Sequence, residues 1–300
     1  MEAKRDWRTS RPAGFAVIGL IYVVASAFGV AVFTSMDGAP WLRLLAADAA
    51  ATVLVWSASW ALDNASVYDP YWSVQPIVIL DLWLVANGRF DLSALALASL
   101  LNVWGVRLTA NWAVTFRGLG VQDWRYDRIR AATGPLWPLA NLAGIQLMPT
   151  LIVYACTLPA FLYLGEGGAI GPVGILGLAA SLLGVALETV ADAQQHAFRK
   201  QADDRTRIND LGLWKHARHP NYLGEILVWW GVAVVFAGAF PSRFFLGFGA
   251  AVNTALFLFI SIPLAERRLA EYKAGYAAYR ARTRMLLPIP TRADEDHREA

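Results

Sequence analysis

Long apolar runs separated by short polar segments set the pattern of the chain. They cover 14–34, 44–62, 73–87, 92–115, 138–163, 170–191, 223–240 and 244–264. A membrane-crossing helix needs about 20 mostly apolar residues. The third run is the weakest, because it is short, contains Asp81 and has Pro76 near its start. The pattern predicts an all-α fold, a polytopic transmembrane helix bundle of about eight spans, or seven if the third does not cross. A single membrane-embedded domain is expected over 1–290, followed by a disordered charged tail over 291–300.

Positive charge separates the two counts, since Lys and Arg accumulate in cytoplasmic loops. With eight spans and both termini inside, 22 of the 26 Lys and Arg lie in cytoplasmic segments, and only Arg43, Arg89 and Arg243 lie outside. Seven spans would give 19 against 6, so eight is the expected number. The run Gly14–Thr34 follows a basic N-terminal stretch but exceeds a usual signal-peptide core, and is read as a retained signal-anchor helix. The Ala- and Arg-rich composition suits a bacterial inner membrane, with the active site facing the cytoplasm.

Composition agrees with this picture and narrows the chemistry. Charged residues make up 16% and hydrophobic residues 57%, with mean hydropathy +0.41; soluble domains carry about 25% charged residues. Cys156 is the single cysteine, which excludes an internal disulfide and a Cys-based metal site. There is no G-x-G-x-x-G and no P-loop. His216 and His219 lack a metal-ligand pattern, so no metal is expected. The expected partners are a lipophilic small molecule and membrane lipid; no nucleic acid or protein partner is inferred.

Three polar segments, 116–135, 192–221 and 265–300, share the expected cytoplasmic side. Glu188, Asp192, Gln195, His196 and Arg199 fall on one helical stripe. Glu188 lies deep enough that a solvated face does not explain it. Further on, Arg205, Arg207, Lys215 and Arg218 precede a helix start at Pro220 and Asn221. Basic side chains beside a helix N-terminus suit an anion, either nucleotide or lipid phosphate. Tyr272, Tyr276 and Tyr279 form an aromatic stripe after the last span, equally readable as an interfacial anchor. Within the fourth span, Arg107 and Asn111 lie one turn apart, and an intramembrane cation is a functional candidate, with Asp81 or Asp69 as its acid. Tyr68, Asp69 and Tyr71 bring a carboxylate and two phenols to a membrane boundary. Gly171, Gly174 and Gly177, at helical offsets, suggest close helix packing.

The run Gly212-Leu213-Trp214, then Arg218-His219-Pro220-Asn221-Tyr222-Leu223-Gly224-Glu225 and Trp229-Trp230-Gly231, resembles the C-terminal domain of the steroid 5-alpha-reductase family. More closely, the chain resembles the bacterial branch labelled DUF1295, most strongly over 185–290. The resemblance implies a membrane reductase that uses NADPH to reduce a C=C bond of a steroid-, isoprenoid- or fatty-acyl-like enone. It also implies a cofactor set. Asp192 and Arg199 match a family Asp and Arg on one helix. Arg207 matches an Arg upstream of the Gly-Leu-aromatic run, and Asn221 and Glu225 match the Asn and Glu of the motif, joined by Arg218 and Tyr222. Tyr272 matches a later Tyr. Glu188 stands where the family has Asn, and Arg268 where it has His. For catalysis, the resemblance implies a Glu in an N-terminal segment, for which Asp69 stands in, and a Tyr near an intramembrane Arg; counting back from Arg107, Trp104 occupies the position of that Tyr, leaving Tyr68 or Tyr71 to supply the phenol. An alternative resemblance, carried by Arg-His-Pro-x-Tyr-x-Gly, is to isoprenylcysteine and phospholipid methyltransferases, which would use S-adenosylmethionine.

Overall fold

A computed structural model describes residues 7–201, 204 and 206–288, and the charged tail expected at 291–300 lies outside them. The described elements are helices α1 (Arg11–Ser35), α2 (Pro40–Ala61), α3 (Tyr71–Ala86), α4 (Leu92–Thr115), α5 (Trp124–Thr133), α6 (Trp137–Ala140) and α7 (Met148–Glu166), then α8 (Pro172–Gln201), α9 (Leu213–His216), α10 (Pro220–Ala239), α11 (Phe248–Leu256), α12 (Ile262–Tyr272) and α13 (Tyr276–Arg282). Among the described residues no strand forms beyond one bridge between Ala217 and Arg284.

Seven helical runs among the described residues are long and apolar enough to cross a membrane, the lower of the two counts that the pattern allows. The third candidate does form a helix, α3, but it has 16 residues. That is about 24 Å at 1.5 Å per residue, short of a hydrocarbon core of about 30 Å. Its start is fixed by Asp69-Pro70 and its end by Gly88, whose φ of +61° suits a residue without a Cβ. The fifth candidate begins earlier than expected: α5, α6, a π-helical stretch and α7 form one run over Trp124–Glu166.

The chain divides into two compact units, Met1–Gly167 and Gly168–Ala300. In the first, Tyr22 and Ala25 of α1 pack with Ala51 and Val55 of α2, with Tyr68 and Tyr71, and with Phe116 and Leu119 beyond α4. A seam of polar side chains runs through this apolar interior. Thr52 Oγ1 lies 3.1 Å from Thr150 Oγ1, and Tyr68 Oη 2.8 Å from the same Thr150 atom. Gln146 Nε2 donates to Ser59 Oγ at 2.8 Å. Polar groups away from water hold their place by such mutual satisfaction. The outward side of α1 shows Leu20 and Val23 exposed, as a lipid-facing surface requires.

In the second unit α8 and α10 approach through glycines. A Cβ on Gly184 would lie 2.5 Å from the Gly224 carbonyl oxygen, and one on Gly177 would lie 2.6 Å from that of Gly231. Small residues allow the backbones to come this close, which is the main source of helix association in lipid. Gly177 therefore has the expected packing role, whereas a Cβ on Gly171 would meet nothing within 4 Å. Gly171 lies just before α8, outside the helix contact.

Candidate functional site

In the first unit the segment between α2 and α3 is held tightly. Asn64 caps a 3-10 turn over Ala65–Tyr68 by accepting from the Ser66 amide, and its own Nδ2 donates 2.7 Å to the Leu119 carbonyl. This turn presents Asp69 to α5. Tyr126 Oη donates to Asp69 Oδ1 at 2.6 Å. Burial pushes the Asp69 carboxyl up to about 6, against the downward pull of hydrogen bonds from Tyr126 and Ser66 and of the Arg125 charge. Arg125 in turn pairs with Asp123 at 2.9 Å. A carboxyl in that range holds a proton on a fraction of molecules near neutrality, as a general acid needs.

The phenols expected to serve Asp69 make other contacts. Tyr68 is buried, its hydroxyl directed to Thr150, and burial pushes its phenol above the ordinary range. Tyr71 is buried against Tyr22, with ring centroids 5.3 Å apart. The phenol on Asp69 is that of Tyr126, from the polar segment 116–135. Trp104 is fully buried, its ring 6.3 Å from that of Trp72. Of the acids considered for Arg107, Asp81 accepts from Asn102 Nδ2 at 2.9 Å and Asp69 accepts from Tyr126.

In the second unit the sequence motif builds a turn and a clamp. Gly212 has φ +58°, and a Cβ there would collide with the Gln194 amide, which accepts from the Leu213 amide at 2.9 Å. Trp214 Nε1 donates to the Ala191 carbonyl at 3.0 Å, tying the turn to α8. Arg218, expected to contact cofactor, is used inside the protein. Its Nε donates to Glu266 Oε1 at 2.8 Å, and its Nη1 donates to the carbonyls of Arg280 and Thr283. His219 Nε2 lies 3.1 Å from the same Glu266 oxygen. Together with backbone bonds from Arg218 and His219 to the carbonyls of Arg284 and Met285, this fastens the α12–α13 segment to the start of α10.

Glu188 is buried where α8 meets Gly224 of α10. Glu225 is also buried, accepting from Trp229 Nε1 at 2.6 Å. Tyr222 stacks on His219, ring centroids 5.3 Å apart, and meets the ring of Phe257 at a tilt, 4.7 Å apart. Asn221 is partly buried one residue into α10, and Asp192 partly buried on α8. Tyr272 is exposed, with Arg268 5.8 Å from its ring centroid.

The remaining cations gather. Arg199 lies at the end of α8, and Arg207 5.9 Å from the Phe198 ring. Lys273 Nζ donates to the Arg207 carbonyl. Its ammonium is pushed below its ordinary value, first by burial and then by Arg199, with Asp204 pulling the other way. Lys273 was not singled out in the sequence, although it follows Tyr272 directly. Tyr126 likewise sat in a flagged segment without a signal of its own.

Helical runs of this length and apolarity define a multi-pass membrane protein. The chain belongs to the family described as Protein of unknown function (DUF1295), whose model matches residues 55–283. It is similar to Uncharacterized protein C594.04c of Schizosaccharomyces pombe, 25% identical over 205 residues, which are 59% of this chain. The matched part spans 58% of that relative's length. No solved structure matches.

Proposed function

We propose that the protein is a membrane-embedded reductase of the steroid 5-alpha-reductase type, using NADPH to reduce a C=C bond in a lipophilic enone. The observation that carries this reading is the gathering of Arg199, Arg207 and Lys273: Arg207 lies 5.9 Å from the ring of Phe198, next to Arg199, Lys273 Nζ donates to the Arg207 carbonyl, and the Lys273 ammonium is depressed first by burial and then by the like charge of Arg199. Cations held together this way are relieved by a multiply charged anion. The 2′-phosphate of NADPH is such a group, and S-adenosylmethionine has none.

The donor set therefore fits a phosphorylated dinucleotide. Bound there, the cofactor would supply a hydride. Arg199, Arg207 and Lys273 would hold phosphate, with Tyr272 and Arg268 on the adjoining turn of α12. Asp69 and Tyr126 are the candidates for the proton. A carboxyl near 6 bonded to a phenol can donate to an enone oxygen as negative charge develops on it. The cytoplasmic side and a bacterial inner membrane belong to the same proposal.

The test is thermal stabilisation of the purified, detergent-solubilised chain by NADPH, NADH and S-adenosylmethionine. A ligand of the folded state raises the melting temperature as its concentration passes Kd. The reading expects NADPH to act at the lowest concentration. A shift with S-adenosylmethionine and none with NADPH would overturn it in favour of methyl transfer.

A further inference from the structure

A second feature of the first unit has no part in the reductase reading. α1, α2 and α3, with Phe161 of α7, line an open cavity of about 320 Å³, within the range of small-molecule sites. Its walls are mostly apolar, formed by Val30, Phe33, Val78, Leu82 and Phe161 among others. Two polar side chains join them, Asp48 of α2 and Gln75 of α3. Both are buried, at 4% and 5% exposure, and they bond to each other, Gln75 Nε2 donating to Asp48 Oδ2.

That bond leaves two oxygens without a partner. Asp48 Oδ1 and Gln75 Oε1 are buried and meet no hydrogen-bond partner among the described residues. Each such atom costs about 1–3 kcal/mol, and a carboxylate in a membrane helix is otherwise rare. Two nearby donors are already committed: the Tyr22 hydroxyl donates to the Val67 carbonyl at 2.6 Å, and Thr52 Oγ1 to the Asp48 carbonyl at 2.8 Å. The cavity also reaches the outer surface of the unit, since wall residues Val30 and Leu82 are 44% and 50% exposed. An apolar molecule arriving from lipid could enter there.

We infer that the Asp48–Gln75 cavity binds an apolar molecule ending in a hydrogen-bond-donating head, a primary alcohol or amine, with the head on Asp48 Oδ1 and Gln75 Oε1. A head that only accepts, such as a ketone, leaves the acceptor-only oxygen Gln75 Oε1 unsatisfied and is disfavoured. The site is independent of the cofactor reading and is tested without nucleotide.

The experiment uses the full chain in lipid nanodiscs and four photoreactive diazirine probes of one chain length, ending in alcohol, amine, methyl ketone or methyl. Cross-linked peptides are mapped by mass spectrometry. Alcohol or amine should label peptides of α1–α3 about tenfold more efficiently than ketone or alkane, corresponding to about 1.4 kcal/mol. Val78→Trp, which fills the cavity, should remove that labelling. Asp48→Leu should abolish the preference, and the closely isosteric Asp48→Asn, which adds a donor, should move it toward the ketone. Equal labelling by alcohol and ketone in the parent chain, or labelling indifferent to Val78→Trp, would overturn the inference.

Discussion

Tyr126 donates a 2.6 Å hydrogen bond to Asp69 across 57 residues of sequence. The bond joins the turn after α2 to the start of α5, and it opposes the rise that burial imposes on the Asp69 carboxyl. Two effects of opposite sign thus set one acid, and the net result of about 6 means that burial wins.

Removing the phenol should therefore raise the Asp69 pKa further. In an infrared titration, a protonated-carboxyl band should disappear with a midpoint near 6 in the parent chain. The midpoint should move to higher pH in Tyr126→Phe, and the band should be missing in Asp69→Asn. A midpoint that falls in Tyr126→Phe would contradict the assignment.

The same shift has a consequence for stability. The folded carboxyl keeps a proton that the unfolded chain has released, from 3.8 up to about 6. The folded state binds more protons in that window, so stability contributed by Asp69 is present at low pH and is lost as pH rises through about 6. Chemical denaturation at pH 4.5 and 7 should show a smaller loss on raising the pH in Asp69→Asn than in the parent; an equal loss would reject the linkage.

Arg199→Ala, Arg207→Ala and Lys273→Ala should each weaken NADPH by about tenfold and weaken NADH less. Titration calorimetry with both nucleotides reads the difference. Equal losses for the two would remove these residues from the 2′-phosphate.

Arg218 and Glu266 form a buried pair, with side chains 8% and 9% exposed. Glu266→Ala would leave the Arg218 guanidinium uncompensated, at a cost of about 3–5 kcal/mol. A clear fall in melting temperature is expected, with fast proteolysis of the released α12–α13 segment. Selectivity between NADPH and NADH should not change if Arg218 acts only as a clamp, and a changed ratio would return it to the cofactor set.

Gly184→Val should separate α8 from α10, because its side chain would meet the Gly224 carbonyl. Gly171→Ala adds a Cβ that meets nothing within 4 Å and should leave stability within about 0.5 kcal/mol of the parent. A similar melting temperature for both variants would show that the glycine contact contributes little.

Much of the fold was legible in the apolar pattern, because a helix that must satisfy its own backbone in lipid needs a long run of apolar side chains. Seven of the eight expected runs correspond to helical elements at their place in the chain, and 138–163 lies inside the longer run that begins at Trp124. The choice between eight spans and seven turns on α3. Its length is set by where Pro70 and Gly88 start and stop it, and a tally of loop charges does not sense that.

The site was legible as residue types on segments, and less so as partners. Sequence placed Asp69 at a membrane boundary and gathered Asp192, Arg199, Arg207 and Tyr272 by motif and resemblance. Asp48 was also visible in principle, as an acid inside an apolar span. Tertiary structure alone decided that the phenol on Asp69 comes from Tyr126, that Lys273 joins Arg199, and that Arg218 turns inward to Glu266. The reason is physical. Periodicity and hydropathy are local properties, whereas a hydrogen bond or an ion pair depends on which distant segments the packing brings within 3 Å of each other.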